Sequence, residues 1–333
     1  MSQSVRGKTA LVTGAGSGIN LAFATLLLTK GCNVIFADLA LRPEAQRVVD
    51  NHSSSPTTTI TINPNHGLAV FVKTDVRSWP QLERAFAAAD HHFPGSPLTI
   101  VCPGAGVYEP ASSSFWRPPG TTGSGDDPGA PSRYALLDIN VVHPIRTAQL
   151  ALERWLMRRN NNNNNNEAET PDAPKSLILV SSTSAQATSL ATPLYDASKH
   201  AVSGFVRALR DVGAVGVRVA AVAPGLVRTP LYTDDAEKLA MVDESRDVWV
   251  EPAEVAEVMC ALVERDGMSG GSVAGEEDDI KIEGGIVVEV TKGKARVVRP
   301  YHDPGPSGPG TAASNMAEVE GRIQTMLRNG WGC

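Results

Sequence analysis

Short apolar runs alternate with longer amphipathic stretches along most of the chain. Seven runs have the length of strands: Thr9–Val12, Val34–Ala37, Leu68–Val72, Leu98–Val101, Leu177–Val180, Val217–Val222 and Ile286–Val290. Five stretches between them have helical apolar spacing: Ile19–Thr29, Gln81–Ala89, Tyr134–Arg158, Ala197–Val212 and Pro252–Val263. This alternation predicts one α/β domain with a Rossmann-like, doubly wound, seven-stranded parallel sheet and helices on both faces.

Three polar insertions and a tail interrupt the alternation. The insertions lie near 51–66, 110–132 and 160–174, and they are rich in Ser, Thr, Pro, Gly or Asn. Their apolar area is too small to offset the entropy of ordering them, which predicts surface loops. The predicted domain covers residues 1–300, and a tail of residues 301–333 carries an amphipathic segment near Met316–Leu327.

Composition and charge restrict the partners. The formal net charge is −6 and no basic cluster is present, which argues against a nucleic-acid surface. No apolar run approaches the roughly 18 residues of a membrane span. The four cysteines and seven histidines show no spacing typical of a metal site or a disulfide framework. We therefore expect a cytoplasmic protein that binds a small molecule and no metal.

A glycine-rich turn follows the first predicted strand and opens directly into a helix. Glycines in such a turn allow backbone N–H groups to approach a pyrophosphate at the positive end of the helix dipole. The expected contacts are Gly14, Ser17, Gly18 and Ile19. The alternative is a simple connection between strand and helix.

Two carboxylates follow the second and third strands. Asp38 lies twenty residues after Gly18, where it would accept hydrogen bonds from the adenosine ribose and repel a 2′-phosphate, which favours NAD over NADP. A turn or cap is the alternative, and Arg42 could attract a 2′-phosphate. Asp75 and Val76 are expected beside the adenine, with a helix N-cap as the alternative for Asp75.

Ser182, Tyr195 and Lys199 form the candidate chemistry. Ser182 follows a strand, and the four-residue spacing of Tyr195 and Lys199 places phenol and ammonium on one face of a helix. A neighbouring ammonium lowers the pKa of a phenol, which would make Tyr195 a base near neutral pH. The alternative is a strand end, a half-buried aromatic and a solvated lysine.

Together these motifs resemble the classical short-chain dehydrogenase/reductase family over roughly Val5 to Val298. The family's glycine turn matches Thr13, Gly14 and Gly18, and its mid-helix asparagine matches Asn140. Its serine, its YxxxK motif and its PGxxxT segment match Ser182, Tyr195, Lys199, Pro224, Gly225 and Thr229.

The resemblance implies a role for each of these matches. Tyr195 would be the acid and base, and Ser182 would hydrogen-bond the reacting oxygen. Lys199 would hold the nicotinamide ribose and lower the pKa of Tyr195, while Asn140 would hold a water of the proton relay. The cofactor contacts after the sixth strand would be Pro224, Gly225, Val227 and Thr229.

The chain departs from the family pattern at two positions. Asn20 stands where the last glycine of the turn is expected, and its bulk would displace the pyrophosphate turn. Gly104 stands where the family has an asparagine after the fourth strand, so its hydrogen bonds would have to come from elsewhere. Both changes are expected to weaken cofactor binding, although Gly104 is retained as a cofactor contact.

The activity implied is an NAD(H)-dependent interconversion of a secondary alcohol and a ketone. Asp38 and the ending Gly284–Val288 resemble the 15-hydroxyprostaglandin dehydrogenase-like branch. The segment from Leu226 to Trp249 is expected to cover a moderately hydrophobic substrate, unless it packs only on its own domain. Its apolar contacts would be Leu226, Leu231, Tyr232, Met241 and Trp249.

Two other functions stay open at this point. One is an NADPH-dependent ketoreductase of a biosynthetic pathway, and the other is a dinucleotide-binding sensor or scaffold without turnover. The resemblance also implies a homodimer or a homotetramer.

Overall fold

A central sheet of eight strands organises the molecule. The computed structural model describes residues 3–53, 65–109, 113–121, 124, 126–129, 134–163, 173–270, 279–300 and 316–329. The strands in chain order are β1 Thr9–Thr13, β2 Asn33–Asp38, β3 Ala69–Lys73, β4 Leu98–Pro103, β5 Lys175–Val180, β6 Val217–Pro224, β7 Gly267–Ser269, β8 Asp279–Lys281, β9 Ile286–Thr291 and β10 Lys294–Val297. Their order in the sheet is β10-β9-β6-β5-β4-β1-β2-β3, and β7 and β8 form a separate two-stranded ribbon.

The sheet differs from the seven-stranded parallel prediction at one edge. All seven predicted strands are present and parallel, and β10 adds an antiparallel edge strand on β9. A tight turn through Gly293, at φ +67°, joins the two strands. Exposed Lys294 and Arg296 make β10 too polar to stand out as a buried parallel strand.

Helices cover both faces of the sheet. They are α1 Gly18–Thr29, α2 Pro43–His52, α3 Trp79–His92, α4 Ala135–Leu137, α5 His143–Asn163, α6 Pro193–Ala208, α7 Pro230–Thr233, α8 Ala236–Leu239, α9 Pro252–Glu264 and α10 Met316–Asn329. The sequence did not predict α2, because it buries only Ala45 and Val49. The helix α6 begins four residues earlier than expected, with Pro193 in its first turn.

The core consists of two apolar layers, one on each face. Phe23 and Leu27 of α1 pack with Met259 of α9 on the first face. On the second face, Phe86 of α3 and Trp155 of α5 belong to a cluster with residues of α6. This double coverage leaves the carboxyl ends of the parallel strands as the edge where a ligand can enter, between β1 and β4, where the strand order reverses.

The predicted helix Tyr134–Arg158 is interrupted. A π-helical turn, Asp138–Val142, separates α4 from α5 and holds Asn140 at its centre, almost fully buried. Turns of this kind widen a helix by one residue and frequently occur at functional sites. The interruption therefore lies where the sequence placed a site residue.

The insertions and the tail are described in part. Residues 54–64, 164–172 and 301–315 of the predicted loops and tail lie outside the described residues. The described part of 110–132 is not a surface loop throughout, because it buries Ser113, Ser114 and Asp126. In the tail, α10 is helical as predicted, and Leu327 packs into the second core layer.

Candidate active site

One cleft of about 570 Å³ opens at the carboxyl edge of the sheet. The cleft brings together every predicted cofactor contact: Gly14, Ser17, Gly18, Ile19, Asp38, Asp75, Val76, Gly104, Tyr195, Lys199, Pro224, Gly225, Val227 and Thr229. Ser182 also lines it, whereas Asn140 lies behind its wall. The predicted residues thus share one elongated site.

Three positions of the turn from β1 to α1 require glycine. Gly14 and Gly18 have φ values of +70° and +58°, which favour glycine. A Cβ on Gly16 would stand 2.4 Å from the carbonyl oxygen of Ala40, so this third glycine is equally constrained. The prediction omitted Gly16, although the repeated Gly-x-Gly-x-Gly pattern carried the signal.

Asp38 is fixed beside this turn. Its Oδ2 accepts a hydrogen bond from the Gly16 N–H at 2.8 Å, and its Oδ1 accepts one from the Leu39 N–H at 2.7 Å. Arg42 is engaged elsewhere, because its guanidinium forms ion pairs with Asp234 and Glu44. The Asp38 carboxylate therefore lines the cleft and forms no ion pair with any cation in the described part of the chain.

Asp75 lies at the far end of the cleft and pairs with Arg77. The Arg77 side chain donates to both carboxylate oxygens, at 3.1 and 2.8 Å, and this bonding holds the pKa of Asp75 below its usual range. The alternative of a helix cap is wrong, because Ser78 is the N-cap residue of α3.

The two departures from the family pattern meet in space. The Asn20 side chain crosses to β4 and donates from Nδ2 to the Gly104 carbonyl oxygen at 2.8 Å. A Cβ on Gly104 would stand 2.2 Å from Asn20 Oδ1, so the glycine is required by the asparagine. We call this pair the Asn20–Gly104 interlock. The sequence predicts a loss of hydrogen bonds at Gly104, and the Asn20 side chain supplies one in their place.

Tyr195 and Lys199 lie on one face of α6, as the spacing predicted. The Lys199 Nζ stands 5.3 Å from the centroid of the Tyr195 ring and donates to the Val180 carbonyl oxygen at 3.0 Å. Ser182 lies two residues after β5 and hydrogen-bonds with Tyr195. The Ser182 Oγ also accepts from the Ser184 N–H at 3.2 Å, which fixes the serine.

The pKa of Tyr195 moves opposite to the sequence-based expectation. Burial raises the pKa of Tyr195 above its usual value, and the Ser182 hydrogen bond lowers it only in part. Burial also lowers the pKa of Lys199 to about 8. Both shifts have one cause: the closed protein surroundings disfavour charge on either group.

Asn140 connects the π-helical turn to the cleft wall. Its Oδ1 accepts from the Val107 N–H and its Nδ2 donates to the Val107 carbonyl oxygen, both at 2.9 Å. The Nδ2 also donates to Ser198 Oγ at 3.2 Å, on the helix that carries Tyr195. Asn140 therefore holds the segment after β4 against α6.

A buried histidine, His143, lies one turn after Asn140. Its Nδ1 lies 3.0 Å from the Ile139 carbonyl oxygen and its Nε2 lies 3.0 Å from Thr13 Oγ1. The carbonyl can only accept, so Nδ1 donates and Nε2 accepts from the threonine. Burial lowers the pKa of His143 to about 4, so the imidazole is neutral at neutral pH.

Aromatic rings cluster around Tyr195 and Tyr232, both of which line the cleft. Tyr108 packs edge-on against Tyr195 with ring centroids 4.4 Å apart, and Tyr232 lies 5.3 Å from Tyr108. Trp249 supports Tyr232 from behind at 6.1 Å. Of the five predicted substrate contacts, only Leu231 and Tyr232 line the cleft, while Met241 is exposed. Tyr108 was missed because its loop has no periodic pattern.

Comparison with known sequences places the chain among dehydrogenases. A family model described as short chain dehydrogenase matches residues 8–240. The chain is 26% identical to human 3-hydroxyacyl-CoA dehydrogenase type-2 over 276 residues, covering 80% of this chain and 93% of that protein. It is 27% identical to human 15-hydroxyprostaglandin dehydrogenase [NAD(+)] over 281 residues, covering 80% and 90%.

Solved structures share the fold. The 3-ketoacyl-(acyl-carrier-protein) reductase from Brucella melitensis complexed with NADH superposes with a TM-score of 0.59 at 20% identity, covering 86% of this chain and 98% of that one. Across the described ranges, no helix is both long and apolar enough to cross a membrane.

Proposed function

The chain belongs to the short-chain dehydrogenase family, and we propose that it is an NAD(H)-dependent enzyme interconverting a secondary alcohol and a ketone on a moderately hydrophobic small molecule. One observation carries the proposal: Tyr195, Lys199 and Ser182 meet at one end of a cleft whose other end holds Asp38 and the glycine turn. A site for proton transfer and a dinucleotide cradle are thus continuous.

The cradle fits a dinucleotide. The three glycines of the turn leave the space that a pyrophosphate needs beside the N-terminus of α1, where the helix dipole is positive. Asp38 would bind the ribose hydroxyls, and Thr229, whose methyl group would stand 3.2 Å from a Cβ on Gly18, would border the nicotinamide end together with Val227. When bound, the nicotinamide accepts or returns a hydride.

The protein itself handles the proton. The Tyr195 phenol donates its proton to the ketone oxygen in reduction and takes the hydroxyl proton in oxidation. Ser182 hydrogen-bonds the same oxygen and holds it in reach of the phenol. Because burial raises the pKa of Tyr195, its phenolate needs a cation close by, and the Lys199 ammonium supplies one below pH 8.

Asn140 and Lys199 complete the path for the proton. The Asn140 side chain is tied to Val107 and Ser198, which holds the wall between the cleft and the π-helical turn. In the proposed relay for oxidation, the proton that Tyr195 takes up is passed to Lys199 as the ammonium gives one to a water beside Asn140, and reduction runs the same transfers in reverse.

NAD rather than NADP is the proposed cofactor. A 2′-phosphate would meet the Asp38 carboxylate, and the cation nearest in sequence, Arg42, is already paired with Asp234 and Glu44. Repulsion between the negative phosphate and the negative carboxylate disfavours the binding of NADP. The hydroxyprostaglandin dehydrogenase relative is named for NAD(+), which supports the same choice.

The substrate is proposed to be uncharged near its reacting carbon. Tyr232 and Leu231 supply aromatic and apolar surface to the cleft, and Tyr108 packs against the rings of Tyr195 and Tyr232. The Glu109 carboxylate beside Tyr195 is fully buried, bonds backbone N–H groups and is not part of the cleft lining. Two of the relatives are named as dehydrogenases of a hydroxyacyl-CoA and of a hydroxyprostaglandin, which supports a hydroxyl group as the reacting group.

Turnover with two cofactors tests the proposal. Purified protein is mixed with NAD or NADP and a panel of secondary alcohols, and the absorbance of the reduced nicotinamide is followed. We expect turnover with NAD, a kcat lower by about a thousandfold in Tyr195→Phe, and NAD binding in that variant within about twofold of the wild type. Tight NAD binding without turnover on any alcohol or ketone would favour the sensor instead.

A further inference from the structure

The segment after β4 contains two buried acids that contact the backbone of the catalytic helices. The first is Glu109, which is fully buried at the end of the loop that carries Tyr108. The second is Asp126, in the described part of the insertion 110–132. We call Glu109 together with residues 113–121 and 126–129 the clamp segment.

Glu109 caps the helix that carries Tyr195. Its Oε2 accepts from the Tyr195 N–H at 2.8 Å, across 86 positions of sequence. The N-cap residue of α6, Thr192, makes no capping bond with its own side chain. The first-turn N–H groups of a helix have no partner within the helix, so this carboxylate fills a need that the local sequence leaves open.

Asp126 does the same for the helix that leads to Asn140. Its Oδ1 accepts from the Ala135 N–H at 2.9 Å and from the Ser113 hydroxyl at 2.7 Å. The Ser113 Oγ in turn accepts from the Leu136 N–H at 3.0 Å. Again the N-cap residue, Tyr134, provides no side-chain cap.

One further bond joins the two caps. The second oxygen of Glu109, Oε1, accepts from the Phe115 N–H at 3.0 Å, two residues after Ser113. Beyond it, the Trp116 indole donates to the Leu190 carbonyl oxygen at 2.7 Å, three residues before α6. The clamp segment therefore touches both catalytic helices and connects its own two contact points.

We propose that the clamp segment sets the position of Tyr195 relative to Asn140, with Glu109 and Asp126 as positioning residues. The inference rests on the proposed function, because both helices carry groups of the proposed proton path. Neither acid touches the reacting atoms. Their effect passes through the helix starts, where displacement of about 1 Å can cost about a hundredfold in rate.

The two acids predict opposite responses to amide substitution. Both oxygens of Glu109 accept backbone N–H groups, so Glu109→Gln places an NH₂ group against a donor and is expected to lower kcat by at least about tenfold, as Glu109→Ala does. A single oxygen of Asp126 accepts both of its bonds, so Asp126→Asn is expected to keep kcat within about twofold, while Asp126→Ala lowers it about tenfold. NAD affinity is expected to stay within about twofold in all four.

Glu254→Gln provides the matched control. Glu254 caps α9 by accepting from the Glu251 N–H at 2.8 Å, and α9 carries none of the proposed site residues. The kcat of the Glu254→Gln variant is expected to stay within about twofold of the wild-type value. A loss comparable to that of Glu109→Gln would mean that weakening any helix cap suffices, which would overturn the proposal.

Amide hydrogen exchange tests the clamp without turnover. Glu109→Ala is expected to speed exchange in peptides over Tyr195 and also over Ala135–Leu136, because the two caps are connected. Faster exchange at Tyr195 alone would reduce Glu109 to a local cap and overturn the clamp. If the wild type turns over no substrate, the proposed function fails while this exchange result still decides the inference. Should Glu109→Ala not fold, Asp126→Ala gives the reciprocal measurement.

Discussion

The two ends of the cleft differ in how closely they keep the family's residue pattern. At the proton-transfer end, Ser182, Tyr195 and Lys199 keep the family's residue types and spacing. At the cradle end, the asparagine and the glycine of the family pattern have exchanged places between α1 and the end of β4. Groups that move a proton depend on their own pKa and reach. A group that only fills space and supplies one hydrogen bond can be replaced by a side chain from the neighbouring element.

The largest expected effect comes from breaking the interlock. Gly104→Asn adds a side chain where Asn20 already lies and is expected to lower the free energy of unfolding by about 3 kcal/mol. Asn20→Gly removes one hydrogen bond and its packing, for a loss of about 1 kcal/mol. The double variant is expected to lose less than Gly104→Asn alone, because the new asparagine occupies the emptied space.

Urea denaturation of the four proteins measures this coupling as a double-mutant cycle. Additive losses would show that the two positions are independent and that the cradle tolerates each residue for a separate reason. NAD binding by the double variant then tells whether the exchange alone alters the cradle.

At the other end, Lys199 is expected to reduce stability in the protein without cofactor. Its pKa is lowered from 10.5 to about 8, so below pH 8 the folded state holds a buried ammonium at a cost. Between pH 8 and 10.5 the unfolded chain binds more protons, and stability therefore rises with pH. Lys199→Met is expected to be more stable than the wild type by about 2 kcal/mol at pH 7, with a smaller gain at pH 10.

Thermal unfolding at the two pH values checks this, and the same variant should lack turnover. Equal or lower stability of Lys199→Met at pH 7 would mean that the bond to the Val180 carbonyl outweighs the cost of burial. Lys199 would then contribute to stability, as Asn20 does through its bond to Gly104.

His143 gives a smaller effect at low pH. Its pKa is about 4 in the folded protein, against an ordinary histidine pKa of 6.5, so the neutral form is buried. As pH falls from 6.5 toward 4, the unfolded state takes up a proton first, and stability falls. Between pH 7 and 5 the wild type is expected to lose about 2 kcal/mol more than His143→Gln. Parallel pH profiles of the two proteins would refute a buried neutral imidazole.

The smallest effect is expected at Arg42. Its ion pair with Asp234 lies at the surface, with side-chain exposures of 42% and 47%, so Arg42→Ala should change stability by less than about 1 kcal/mol. If Arg42 has no part in cofactor choice, the preference for NAD over NADP stays within about twofold. A further loss of NADP turnover in the variant would assign the guanidinium to the cradle.

Local pattern predicted most of the fold but failed where partners are distant in sequence. The seven parallel strands were visible because their apolar runs are buried on both faces. The strand β10 and the helix α2 were not, since each exposes most of its polar side chains. Glu109 is a single acid in an aperiodic loop, and its partner Tyr195 lies 86 residues away.

The site residues were likewise predicted where they are close in sequence and misjudged where their partners are distant. Tyr195 and Lys199 share one helix, so their spacing could be read directly. Asn20 and Gly104 are separated by 84 residues, and each looked like a defect when considered alone. Only the contact between α1 and the end of β4 shows that they compensate.

The interlock also implies an order of evolutionary events. From a family-type ancestor with glycine at 20 and asparagine at 104, acquiring Asn20 first would place two side chains in one space. Losing the asparagine at 104 first leaves a small gap, which a protein survives at a cost of about 1 kcal/mol. We therefore expect an intermediate with glycine at both positions, and reconstructed ancestral sequences can be searched for it.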